Sequence, residues 1–121
     1  MSLASKVLKA GVTRRVLLVG NLAIKFPRWY SWKNFLLGLL ANMQEVKFSA
    51  TGWPELCPVI FSLPGGFMVV MRRATEMTDD EFMARDMAYW IDRGNYVVPA
   101  EIKADSFGWL DGRLVAIDYG N

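Results

Sequence analysis

The stretch Glu101–Asn121, EIKADSFGWLDGRLVAIDYGN, opens as a polar loop. It then gives a short apolar strand at Trp109-Leu110, a turn at Asp111-Gly112 and a second strand from Leu114 to Ile117. Asp-Gly favours the tight hairpin turn because both residues accept a positive φ. Asp118-Tyr119-Gly120 follows directly, so a carboxylate is delivered at the end of a β-strand.

Working outward, the same hairpin logic recurs twice. Arg15 to Val19 and Leu22 to Phe26 flank Gly20-Asn21, with Pro27 as the stop. Cys57 to Leu63 and Phe67 to Met71 flank Pro64-Gly65-Gly66. Two helices lie between the hairpins. Ser31 is placed to cap the first, which runs from Trp32 to about Glu45 with Trp32, Phe35, Leu36, Leu39, Leu40 and Met43 at helical spacing. Gly38 weakens it by about 1 kcal/mol relative to alanine unless close packing needs it. Thr78 and Glu81 form a capping box that opens the second, predicted to run to about Arg93 with Phe82, Met83, Met87, Trp90 and Ile91 inward. Tyr96 to Val98 is extended before Pro99. Hairpin, helix, hairpin, helix, hairpin is an α+β order with an antiparallel sheet and two main helices.

Composition sets the outer bounds. A chain of 121 residues, 53% hydrophobic, is sized for one domain, 1–121, with its own core; residues 1–11 are expected to be flexible. Histidine is absent and Cys57 is the one cysteine, which excludes an internal disulfide and the Ser-His and Cys-His catalytic pairs. Cys57 lies in an apolar run and reads as a buried thiol in a reducing compartment. The apolar runs are shorter than the ~20 residues of a membrane-spanning helix, so a cytoplasmic protein is expected. Residues 1–50 carry eight Lys/Arg against one Glu, and residues 51–121 carry six against eleven Asp/Glu. A basic front half suits phosphates or an acidic partner, or is a solvated surface. Tryptophans and methionines read mostly as core. Trp29, Tyr30 and Trp32 beside Arg28 and Lys33 also suit a partner or nucleic-acid surface.

Four pieces of the chain, in order, resemble a protein-kinase-like domain. LAIKF resembles the strand carrying the family's Val-Ala-Ile-Lys, which implies that Lys25 contacts nucleotide phosphates. Glu45, twenty positions on, stands where the family's ion-pair glutamate is expected. GFMVVMRRA resembles the strand leading into the hinge, with Met71 at the back of an adenine pocket and Arg72 and Arg73 in the hinge. EIKADSFG resembles the catalytic loop and DYG resembles Asp-Phe-Gly. The resemblance implies a kinase amino-terminal lobe with an added helix and a catalytic-loop hairpin. ATP and Mg²⁺ are the implied cofactors. Asp118 and Ser106 are the implied metal ligands, Glu101 the residue orienting the acceptor hydroxyl, and Lys103 the residue neutralising the transferring phosphate.

The departures fall where catalysis acts. The family's His-Arg-Asp-x-x-x-x-Asn becomes Pro99, Ala100, Glu101 and Ser106. Gly11 and Gly20 do not build a G-x-G-x-x-G loop. An activation segment and helical substrate-binding lobe are not readable in these residues. The expected function is therefore a pseudokinase-type, protein-binding regulator or inhibitor, of the small phage or effector kind that acts on a host protein. Two alternatives stand beside it: an active minimal ATP-dependent phosphotransferase, and a small nucleic-acid-binding protein using the basic half.

Overall fold

The computed structural model describes residues 7–10, 14–29 and 31–119. Eight strands and three helices are present among them: β1 Val7–Ala10, β2 Arg14–Val19, β3 Leu22–Pro27, α1 Trp32–Ser49, β4 Val59–Leu63, β5 Met68–Arg72, β6 Thr75–Glu76, α2 Asp79–Met83, α3 Met87–Ile91, β7 Phe107–Leu110 and β8 Arg113–Ala116. They form two antiparallel sheets, a five-stranded one in the order β1-β2-β3-β5-β4 and a three-stranded one in the order β6-β7-β8. The α+β class follows. A single sheet does not, and Val7–Ala10 is a strand where the sequence reading placed no element.

The turns explain the hairpins. Gly20 takes φ +58 while Asn21 is not in the positive-φ region, the arrangement of a II′ turn, and it sets Val19 opposite Leu22. Asp111 at φ 53 and Gly112 at φ 78 both occupy it, as a I′ turn requires, and set Leu110 opposite Arg113. Gly66, in the turn between β4 and β5, has a second reason to be glycine. A Cβ there would lie 2.2 Å from the Leu39 carbonyl oxygen, so this turn rests directly on the α1 backbone.

Helix α1 runs one turn beyond the predicted Glu45. Ser31 precedes it in extended conformation without a side-chain capping bond. Its buried face is Gly38, Ala41, Asn42 and Glu45, not the leucine-rich stripe that the spacing picks out. Small residues let the helix approach the sheet, and polar groups there find partners, so the apolar stripe is left outward. Trp32, Leu36, Leu40 and Met43 are all exposed.

The second predicted helix is two short ones. Thr78 and Glu81 do form the capping box, with Thr78 Oγ1 accepting from the Glu81 amide at 3.1 Å and Glu81 Oε1 accepting from the Thr78 amide at 2.9 Å. Asp86 then accepts from the Tyr89 amide at 3.1 Å and starts a new helix. Aspartate competes with the helix ladder for such an amide, which is why the run breaks there. The break turns Met83 out to solvent, against expectation, while Met87 is buried and the Trp90 ring meets Phe107 edge-on at 5.7 Å.

One apolar cluster joins β5, β7, β8, α3 and the segment before β4. It contains Leu56, Cys57, Val69, Met71, Met87, Phe107, Val115 and Tyr119. Backbone bonds from the Cys57 amide to the Ala116 carbonyl (2.9 Å) and from the Ala116 amide to the Glu55 carbonyl (2.7 Å) fasten that segment to β8. Cys57 is buried as expected, and burial pushes its thiol up to about 11. Among the described residues, no helix is long and apolar enough to cross a membrane.

Candidate functional site

Alternation along β3 points Ala23, Lys25 and Pro27 inward. Lys25 therefore enters the space between the sheet and α1. Its Nζ donates to Glu45 Oε1 at 2.8 Å and to the Ile117 carbonyl at 2.6 Å. Glu45 and Asn42 are three apart on the inner face of α1, one above the other. Asn42 Nδ2 donates to the Gly66 carbonyl at 2.8 Å and to the Lys25 carbonyl at 3.3 Å, tying helix, turn and strand together.

A second cation shares the site. Arg14, at the start of β2, is 5% exposed. One guanidinium nitrogen donates to Glu45 Oε1 at 3.0 Å and to Asn42 Oδ1 at 3.1 Å. The other donates to Asp118 Oδ1. The remaining Glu45 oxygen, Oε2, accepts from the Tyr119 amide at 3.0 Å. The Tyr119 hydroxyl donates to the Cys57 carbonyl at 2.6 Å.

The result is two cations and two carboxylates that neutralise one another, three of them buried. Burial by itself would push the Glu45 carboxyl up. Lys25 and Arg14, with the Lys25 bond and the Tyr119 amide, outweigh it and hold the group below the ordinary carboxylate range. Burial and the nearby Glu45 charge push the Tyr119 hydroxyl up, so it stays a donor.

Other candidates from the sequence fall into three groups. Ser106 is fully buried beside the cluster, and its carbonyl accepts the amides of Ile117 (2.8 Å) and Asp118 (3.3 Å). Its Oγ has no hydrogen-bond partner among the described residues. Glu101 and Lys103 lie in an exposed loop and pair with each other at 3.5 Å, with Asp105 3.8 Å from the same lysine. Met71 is in the core. Arg72 and Arg73 serve as clamps. Arg72 holds Asp111 through two bonds of 2.7 and 3.0 Å, and Arg73 donates to the Gly20 carbonyl at 3.3 Å, so each grips one hairpin turn. Trp29 and Trp32 are exposed. Tyr30, Gly11 and Gly120 lie outside the described residues.

Sequence reasoning missed Arg14, Asn42 and Tyr119. The available signal was an asparagine inside an otherwise Leu/Ala-rich helix, three residues before its one glutamate.

The donor set does not suit a divalent cation bound with nucleotide. Asp118 is already ion-paired to Arg14, and a serine hydroxyl such as that of Ser106 is a weak ligand. No group of three or more Cys, Asp or Glu side chains arranged to hold a metal ion is present among the described residues. Comparison with protein-family models and with curated proteins returned no match.

Proposed function

We propose that this chain is a degenerate protein-kinase-like domain that works by binding a protein partner and not by transferring phosphate. Two features support the likeness. A lysine on the third strand pairs with a glutamate on the following helix, the ion pair that organises kinase sites. The strand that ends at the Asp118-Tyr119 segment lies against the same pair through the Ile117 carbonyl.

The observation that carries the non-catalytic reading is Arg14. Its guanidinium engages both Glu45 and Asp118, the two carboxylates a phosphotransferase would need for its lysine and its metal. Phosphoryl transfer is mostly positioning and charge stabilisation, and here the charges are spent on each other. Glu101, exposed and paired with Lys103, adds no acceptor-orienting base within the cluster.

Incubation with radiolabelled ATP, Mg²⁺ and generic protein acceptors tests this. The expected result is no label in chain or acceptor above that seen with Asp118→Asn. Transfer by the wild type that Lys25→Met abolishes would sink the proposal.

A further inference from the structure

The outer face of α1 belongs to no contact described above. Trp32, Leu36, Leu40 and Met43 follow one another turn by turn along it, exposed to 73, 45, 46 and 43%. The stripe does not stop at the helix. Trp32 stacks on Phe35 at 5.8 Å, and Phe35 meets Phe67 of the β4–β5 turn at 6.3 Å, where Phe67 is itself 55% exposed. Scattered apolar residues are ordinary on a surface, but a continuous stripe of this kind marks an interaction site.

Charge says what covers it. Lys33 and Lys47 are exposed near the two ends of α1, and the helix's one carboxylate, Glu45, is buried. Between residues 14 and 75 the only other carboxylate is Glu55, which is held by Arg93 at 3.3 Å. Among the described residues no carboxylate pairs with Lys33 or Lys47, so the rim they form is cationic. Self-pairing through α1 is disfavoured in either direction, because it sets Lys33 against Lys47 when antiparallel and like lysines against each other when parallel. Lysines fourteen residues apart are separated by ~21 Å along a helix axis.

We infer that this face is the docking site for an acidic amphipathic helix of the partner protein, about four turns long. Its leucine-type residues seat along Trp32, Leu36 and Leu40, and its carboxylates meet Lys33 and Lys47. This inference rests on the protein-binding reading and names the surface it uses. It is read by peptide binding, so its failure is separable from a failure of the phosphotransfer test.

The probe is a fluorescent designed peptide with leucines at helical spacing and glutamates elsewhere. Controls are a scrambled peptide of the same composition and a version with lysine for glutamate. Anisotropy should show saturable binding of the acidic peptide alone, weakening with salt. Leu36→Asp and Leu40→Asp should each lower affinity by at least about tenfold with an unchanged circular dichroism spectrum and melting temperature. Both sites are already solvent-exposed, so folding should survive. Lys33→Glu with Lys47→Glu should turn the preference toward the basic peptide. Equal binding of the scrambled peptide, or affinity unmoved by Leu36→Asp, would overturn the inference. So would α1-dependent binding confined to anionic vesicles or single-stranded DNA, or self-association in sedimentation that Leu36→Asp abolishes.

Discussion

Replacing Glu45 with leucine lowers the unfolding free energy by about 3–5 kcal/mol, the cost of leaving buried charge without its partner. Glu45 Oε1 receives both Lys25 and Arg14, and Oε2 receives the Tyr119 amide. Removing the carboxylate strands two buried cations at once. Glu45→Gln keeps the shape and some hydrogen bonds, so it isolates the charge. Denaturant titration of both variants against the wild type reads the difference as a shifted midpoint at constant slope.

The same residue sets an acid dependence. Its carboxyl is held below the ordinary range in the folded protein. The unfolded chain therefore takes up this proton at a higher pH than the folded one. Glu45 contributes full stability above the unfolded pKa, and that contribution is lost as pH falls through the folded pKa. Glu45→Gln should show a shallower loss of stability below about pH 4.5, the range where an unfolded glutamate titrates. An identical acid limb in the two proteins would mean that the carboxylate is not charged in the folded state.

Tyr119→Ala is expected to cost a further large amount, about 3–5 kcal/mol, because it empties a fully buried aromatic site. Tyr119→Phe separates packing from hydrogen bonding. It removes the bond to the Cys57 carbonyl and the one with the Ser49 side chain, and should cost about 1–3 kcal/mol, with the buried Cys57 acceptor left unpaired. The effect of Tyr119→Ala should not add to that of Glu45→Leu. Alanine keeps the backbone amide that bonds Glu45, but without the ring the segment presenting that amide is no longer held in place, so a cycle of the two should show a coupling of about 0.5–3 kcal/mol. Strict additivity would mean that the segment after β8 and the helix are independent of each other.

The hairpins and the capping box were legible because their chemistry is local. Gly20-Asn21 and Asp111-Gly112 declare their turns within two residues, and Thr78 and Glu81 declare a helix start within four. The inner face of α1 was not legible from hydrophobic spacing. Periodicity finds the most apolar face, whereas burial here follows Gly38, Ala41, Asn42 and Glu45, which pack by smallness and by bonds to distant strands. The helix break at Asp86 was hidden for a related reason. One carboxylate redirecting one amide outweighs an apolar pattern that continues on both sides.

Within the candidate site, Lys25, Glu45 and Asp118 were named through motif resemblance; Lys25 pairs with Glu45, and Arg14 links Glu45 to Asp118. Arg14 was not, since an arginine at a strand start carries no local mark of what it will meet 28 to 104 positions away. Yet Arg14 is the residue that changes the chemistry from an open ion pair to a neutral, closed set.

Calorimetric titration with ATP, once in Mg²⁺ and once in EDTA, is the most direct test of whether those carboxylates are spent. With Asp118 engaged by Arg14, the prediction is no magnesium-dependent binding up to millimolar nucleotide. Saturable, magnesium-dependent binding that disappears in Lys25→Met would contradict it and make the chain a nucleotide-binding domain.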